Sequence, residues 1–274
     1  MSKKKKKRVD KQQGVTEEKA PEVDATAKAE DTSEENAQGG HKQNFNQWAL
    51  GWIKSIAIAL LIWFVVQAVL VKSFRIISNS LEPTLLVGDW LFINKAIYGA
   101  RIPFTKAHFP AFREPRAGEL IVLIGIEPDS LTIVKRVMGV AGDTLEMRND
   151  SIFRNNEYLI EPYAKHVDPT ARMDRMQQGR TKRWQLPHLV DTVDRDEYLP
   201  DLRNWGPFVI PEGHLFTMGD NRDSSYDGRH WGLLPRGQII GHPMFIYWSY
   251  NPEHWRPLPI FTAVRWNRLF RSPG

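Results

Sequence analysis

The chain has 274 residues, 42% hydrophobic and 25% charged, which suits one or two folded domains and excludes wholesale disorder and a polytopic membrane protein. Cysteine is absent, so disulfide frameworks, cysteine-rich zinc sites, iron–sulfur clusters and a cysteine nucleophile are excluded as well. The net charge of +5 is a small basic excess, and ten tryptophans suit membrane interfaces and binding grooves.

Residues 1–47 read as a disordered, charged tail. Lys3 to Lys7 and Arg8 form a basic run, followed by an Ala/Glu/Lys/Thr-rich stretch with almost no large apolar residues. Such a segment cannot bury enough surface to offset the entropy of ordering. No aromatics interleave with the basic run, so anionic lipid headgroups rather than nucleic acid are its expected partner.

Residues 48–71 change abruptly to WALGWIKSIAIALLIWFVVQAVLV. A spanning helix needs about 20 mostly apolar residues, and no polar face recurs here at helical spacing. The span reads as an uncleaved anchor, because the region before it is too long for a signal peptide and no small-x-small exit follows. The basic residues at its two ends only mildly favour a cytoplasmic N-terminus.

Residues 72–274 then read as a β-rich domain. GDWLFINK, GELIVLIG, LTIVKRVMGV, HLFTMGD and GQIIGHPMFIYW are short, apolar and partly β-branched, with Gly, Pro, Asn or Asp around them. The expected fold class is mainly β, an antiparallel sheet core without helices of useful length after the anchor. Residues 148–210 are more polar and include the basic patch ARMDRMQQGRTKRW; they read as an inserted cap with a little sheet of its own.

Three stretches carry residues suited to chemistry. Ser78 and Ser80 sit two apart in ISNSLEPTL, within ten residues of the span, and are either a serine-rich turn or a nucleophile site at the bilayer surface. A serine nucleophile needs a base and fixed oxyanion donors. The eight histidines fall in no G-x-S-x-G or H-E-x-x-H context. Lys135 lies with Arg136 in an apolar strand, and the two point to opposite faces. Lys135 is either held in solvent at a strand edge or buried, where lost hydration lowers its pKa toward the range of a general base. In GDNRDSSYDGRHWG, Asp220, Asp223, Asp227, Arg222 and Arg229 suit a charge network that stiffens a loop; the interleaved arginines argue against calcium.

Together these segments resemble the bacterial type I signal peptidases, the Ser/Lys leader peptidases. The likeness runs through Ser78-x-Ser80-x-x-Pro83-Thr84-Leu85, Gly88-Asp89, Lys95-x-x-Tyr98-Gly99 and Arg116-x-Gly118-Glu119-x-Ile121-Val122. It continues through Lys135-Arg136-x-x-Gly139-x-x-Gly142-Asp143 and Gly219 to Gly232. The resemblance implies a membrane-bound serine endopeptidase that removes signal peptides from exported preproteins after a small-x-small motif. Ser80 is then the nucleophile and Lys135 the general base. Ser78 helps hold the oxyanion, Ser225 orients the lysine, and Asp220, Asp227 and Arg229 brace the site.

The same resemblance implies no cofactor or metal, with preproteins and the lipid bilayer as partners and no nucleic acid. It implies a single-pass protein of the bacterial cytoplasmic membrane, catalytic domain outside. Leu81 stands where the family usually has Met, Asn79 where a smaller residue is commoner, and Ile77 where Pro is frequent. These departures fall on the substrate-facing segment. Two other readings are a self-cleaving Ser/Lys protease and a catalytically inactive anchored scaffold. The absence of a DNA-binding helix pair argues against the first, and intact Ser80, Lys135 and Ser225 against the second.

Overall fold

The computed structural model describes residues 35–99, 105, 107, 109–126, 131–168 and 170–273. The chain divides into two units, residues 1–57 and 58–274, and all of the β-structure belongs to the second. Most of the basic tail, residues 1–34, lies outside the described residues.

Helix α1 runs Glu35–Val69. It begins ahead of residue 48 because a helix nucleated by an apolar span lengthens at little cost per residue. Its Gln47–Phe64 window is long and apolar enough to cross a membrane, and none of it is buried within the molecule. The strands are β1 (Val71–Arg75), β2 (Asp89–Asn94), β3 (Leu120–Ile124), β4 (Thr132–Val140), β5 (Thr144–Arg148), β6 (Ser151–Arg154) and β7 (Glu157–Tyr158). Helix α2 (Arg175–Gln185) precedes β8 (Trp205–Val209) and β9 (His214–Met218). A one-turn helix α3 (Gly228–Trp231), β10 (Leu234–Pro235), β11 (Ile239–Ser249) and a short α4 (Pro259–Thr262) complete the chain.

Seven strands form one sheet in the order β1-β2-β11-β3-β4-β9-β10, and every pairing in it is antiparallel. The fold is therefore mainly β, and the five expected strands all form. β11 holds the sheet together. Its eleven residues pair with both β2 and β3, and register shifts after Pro243 and Ile246 let it bend between them. A second antiparallel sheet has the order β7-β6-β5-β8 and starts at Thr144, four residues ahead of the expected insertion boundary. Between the sheets lies an aromatic core of Trp205, Phe208 and Phe216 with Met138 and Leu145. Each such side chain contributes roughly 1.5–3 kcal/mol by leaving water.

α2 departs from the expectation of no helix after the anchor. Its sequence has no apolar stripe, and the residues it buries are Thr181 and Gln185. Its start is set locally: the Asp174 side chain accepts from Gln177 N, and the Gln177 side chain accepts from Asp174 N, a reciprocal cap. Of the basic patch read from this stretch, Arg175, Arg180 and Arg183 are exposed on that helix, and Arg172 lies ahead of it.

The loop from Ile76 to Gly88, which carries both candidate serines, is fixed from two sides. It is clamped at its base, where Ile76 N donates to Asp89 O and Gly88 N to Ile76 O, at 2.8 and 3.0 Å. Gly88 has φ +93°, and a Cβ there would lie 2.2 Å from Tyr250 O, so only glycine fits. Under the loop, Leu81 and Leu85 pack with Ile76, Leu91, Val122 and Val134.

Candidate active site

Ser78 and Ser80 sit on the Ile76–Gly88 loop with their hydroxyl oxygens 3.3 Å apart. They share one cavity of about 330 Å³ with Lys135 of β4. The sequence separates Ser80 from Lys135 by 55 positions, and the sheet brings them together. No hydrogen bond to the Ser80 N–H forms among the described residues, which leaves a backbone donor at the site.

Lys135 is 3% exposed. Burial is the largest influence on its amine and lowers the pKa from 10.5 to about 8; the Asp227 and Asp220 carboxylates raise it, and the Arg229 guanidinium lowers it further. Its Nζ donates to Ser225 Oγ at 2.8 Å. No hydrogen bond closes between Lys135 Nζ and Ser80 Oγ among the described residues.

Arg136 turns to the other face of β4, as strand alternation requires. It makes a two-pronged ion pair with Asp220, Nε to Oδ1 at 2.8 Å and Nη2 to Oδ2 at 2.7 Å. Thr84 Oγ1 donates to the same carboxylate at 2.5 Å. Asp220 thus ties β4 to the serine loop, while Ser225 receives the lysine on the opposite face. Both belong to the turn after β9. Its first residue, Gly219, leaves no room for a side chain: a Cβ would lie 2.2 Å from Ser225 Oγ and 2.5 Å from Ser80 O. Asn221 fixes the loop from the same turn, its N–H donating to Ser80 O at 3.1 Å and its side chain to Asn79 O at 3.2 Å.

Asp227 is fully buried and caps α3. It accepts from Arg229 Nε and Nη2, both at 2.9 Å, and from Gly219 N at 2.9 Å. Burial alone would raise its pKa; the Arg229 charge and hydrogen bonds, with the Lys135 charge and the Gly219 N–H, outweigh this and hold it well below the usual carboxylate range. Among the described residues no cluster of three metal-ligating side chains occurs.

Arg222 and Asp223 stood out in the sequence as part of a charge network, but their partners outside the turn carry no sequence signal. Arg222, buried, forks onto Glu161 at 3.0 and 2.5 Å. Lys165 pairs its backbone with the turn, donating to Asp220 O and accepting from Arg222 N, both at 2.8 Å. Its ammonium lies 3.1 Å from Glu82 of the serine loop. Asp223 accepts from Val167 N and Asp168 N, and Thr181 Oγ1 donates to Arg229 O at 2.9 Å. The 148–210 segment therefore buttresses the 219–229 turn along most of its length. The C-terminal segment does the same for the serine loop: Arg268 holds Asp89 at 2.6 Å and Thr84 O at 2.9 Å. A histidine, His230, lies behind the site, stacked on Tyr226, with burial lowering its pKa.

The family pattern described as signal peptidase, peptidase S26, matches residues 49–248. Signal peptidase I of Pseudomonas aeruginosa is 32% identical over 223 residues, covering 77% of this chain and 76% of that protein. Signal peptidase IB of Staphylococcus aureus is 31% identical over 214 residues, covering 75% and 96%. Signal peptidase I P of Bacillus subtilis subsp. natto is 30% identical over 199 residues, covering 72% and 88%.

Proposed function

This chain belongs to the signal peptidase family, peptidase S26, and is a signal-peptide-removing peptidase; we propose that it does this chemistry with Ser80 as nucleophile and neutral Lys135 as general base. The observation that carries the proposal is a lysine 3% exposed, its pKa lowered to about 8, in the same cavity as a serine hydroxyl.

The preprotein lies extended along β4. That strand pairs with β9 only from Arg136 onward, so Thr132–Lys135 keeps one edge for main-chain hydrogen bonds. Ser80 Oγ attacks the scissile carbonyl and its proton passes to Lys135 Nζ. The Ser80 N–H and Ser78 hydroxyl donate to the developing oxyanion. The tetrahedral intermediate collapses, Lys135 returns the proton to the leaving amine, and an ester joins the signal peptide to Ser80. Water activated by Lys135 then cleaves that ester. Ser225 keeps the amine aimed, and Asp220, Asp227 and Arg229 hold the turn that carries it.

Small side chains are selected sterically. Val134 and the residues facing it, Ile76, Leu81, Leu85 and Leu91, are at most 4% exposed. This wall offers only shallow depressions to the residues one and three before the cut. Gln47–Phe64 serves as a single membrane span, with the β-domain on the extracytoplasmic face and the bilayer presenting the signal peptide.

Because the base is the neutral amine, the rate follows its deprotonation. Between about pH 6 and about pH 10 preprotein cleavage is expected to rise and level off, with a midpoint near the Lys135 value of about 8. At pH 7 only about one-tenth of the maximal rate remains. Steady-state cleavage in detergent across this range is the test, and a flat profile contradicts the assignment.

A further inference from the structure

The cavity beside Ser80 is larger than the selection of small side chains requires. It measures about 330 Å³, against roughly 30 Å³ for one water, and it runs from Ser80 and Lys135 past Ile133 to Ile126, Leu131, Tyr226 and Trp231. Strand geometry says which substrate residue it faces. Successive side chains of β4 alternate, so Val134 enters the packed wall under the serine loop, while Ile133 and Lys135 line the cavity. An extended peptide added to that edge alternates in the same way. Its residues one and three before the cut share the Val134 face, where only small side chains fit. The residue between them points to the Ile133 and Lys135 face.

We infer that this cavity is a specificity subsite for a large apolar side chain at the middle position of the small-x-small motif. The inference rests on the proposed signal-peptide cleavage by Ser80.

The walls have the matching chemistry. Leu131 and Ile126, just beyond the paired residues of β4 and β3, line it together with Tyr226 and Trp231 of the turn and α3. Leu131 is 62% exposed and Tyr226 is 45% exposed, so two large apolar groups stand in solvent where a substrate side chain would cover them. The Tyr226 ring is already set, stacked on His230 with centroids 4.8 Å apart and planes 27° apart, which lowers the cost of ordering it on binding.

The test uses two preproteins that differ only in the middle residue, phenylalanine or glycine. It compares kcat/KM for the full chain and for Tyr226→Ala and Leu131→Ser, with melting curves to establish folding. The wild type is expected to prefer phenylalanine by about tenfold, in the range for an apolar pocket. Each variant is expected to cut that preference to about twofold or less; Leu131 is exposed enough that its replacement leaves the core intact. A wild-type preference near one overturns the inference while leaving the proposed function standing. So does a tenfold preference unchanged in both variants. Failure of the wild type to cut either preprotein sinks the proposed function, and the subsite with it.

Discussion

Lys135→Met is expected to lower preprotein cleavage by at least about 10³-fold while leaving the domain as stable as the wild type, or more so, at neutral pH. The two halves of this result have one cause. An ammonium that is 3% exposed loses hydration, and its pKa falls from 10.5 to about 8. Below about pH 8 Lys135 is charged in both the folded and unfolded chain, and the folded state carries the full penalty, roughly 3 kcal/mol at 1.36 kcal/mol per unit. Between about 8 and 10.5 the folded form is already neutral while the unfolded form still holds its proton, so the penalty fades as pH rises. Methionine fills similar space without the charge. The variant is therefore expected to melt at or above the wild-type temperature at pH 7, with the difference shrinking at higher pH. Thermal unfolding at two pH values and a cleavage assay read both halves. A variant that still cuts well has another base, and His230 is then the group to replace next.

Asp227→Ala is expected to destabilise the domain by about 3–5 kcal/mol, the usual consequence of leaving a buried charge without its partner. The Arg229 side chain is 1% exposed, and Asp227 accepts two of its hydrogen bonds. The same carboxylate fixes Gly219 N and the start of α3. A second readout separates bracing from indifference. Asp227 raises the Lys135 pKa through its charge, so any activity left in Asp227→Ala should reach half its maximum at a lower pH than in the wild type. Denaturant unfolding and a pH–rate profile measure the two effects. Wild-type stability with an unmoved midpoint would remove Asp227 from the account.

The parts legible in the sequence were those whose cause is local. The long apolar helix α1 is marked by a run of apolar residues, and β2, β3, β4, β9 and β11 are short β-branched runs between turn residues. Ser80, Lys135 and Ser225 stood out because their boxes keep a chain order shared with the leader peptidases. What stayed hidden depends on pairing across the chain. β1, VKSFR, continues an apolar span and shows no alternation, and its strand character comes from β2. α2 hides because it buries a threonine and a glutamine, so no apolar period marks it. Glu161 and Arg222 lie 61 positions apart, and nothing in the sequence announces that the insertion grips the 219–229 turn. Asp89 could be seen as part of a family box, but its partner Arg268 lies 179 positions on. Alternation on β4 was legible in Lys135 and Arg136. That the first faces Ser225 and the second Asp220 required the fold.

The most direct measurement is cleavage of a purified preprotein in detergent by the full chain and by Ser80→Ala, with the N-terminus of the product sequenced. The expected result is one new terminus, directly after a small-x-small site, from the wild type and none from Ser80→Ala, with both proteins folded. A folded wild type that leaves the preprotein intact, or a Ser80→Ala chain that yields the same terminus, would contradict the assignment of Ser80 as the nucleophile of a signal peptidase.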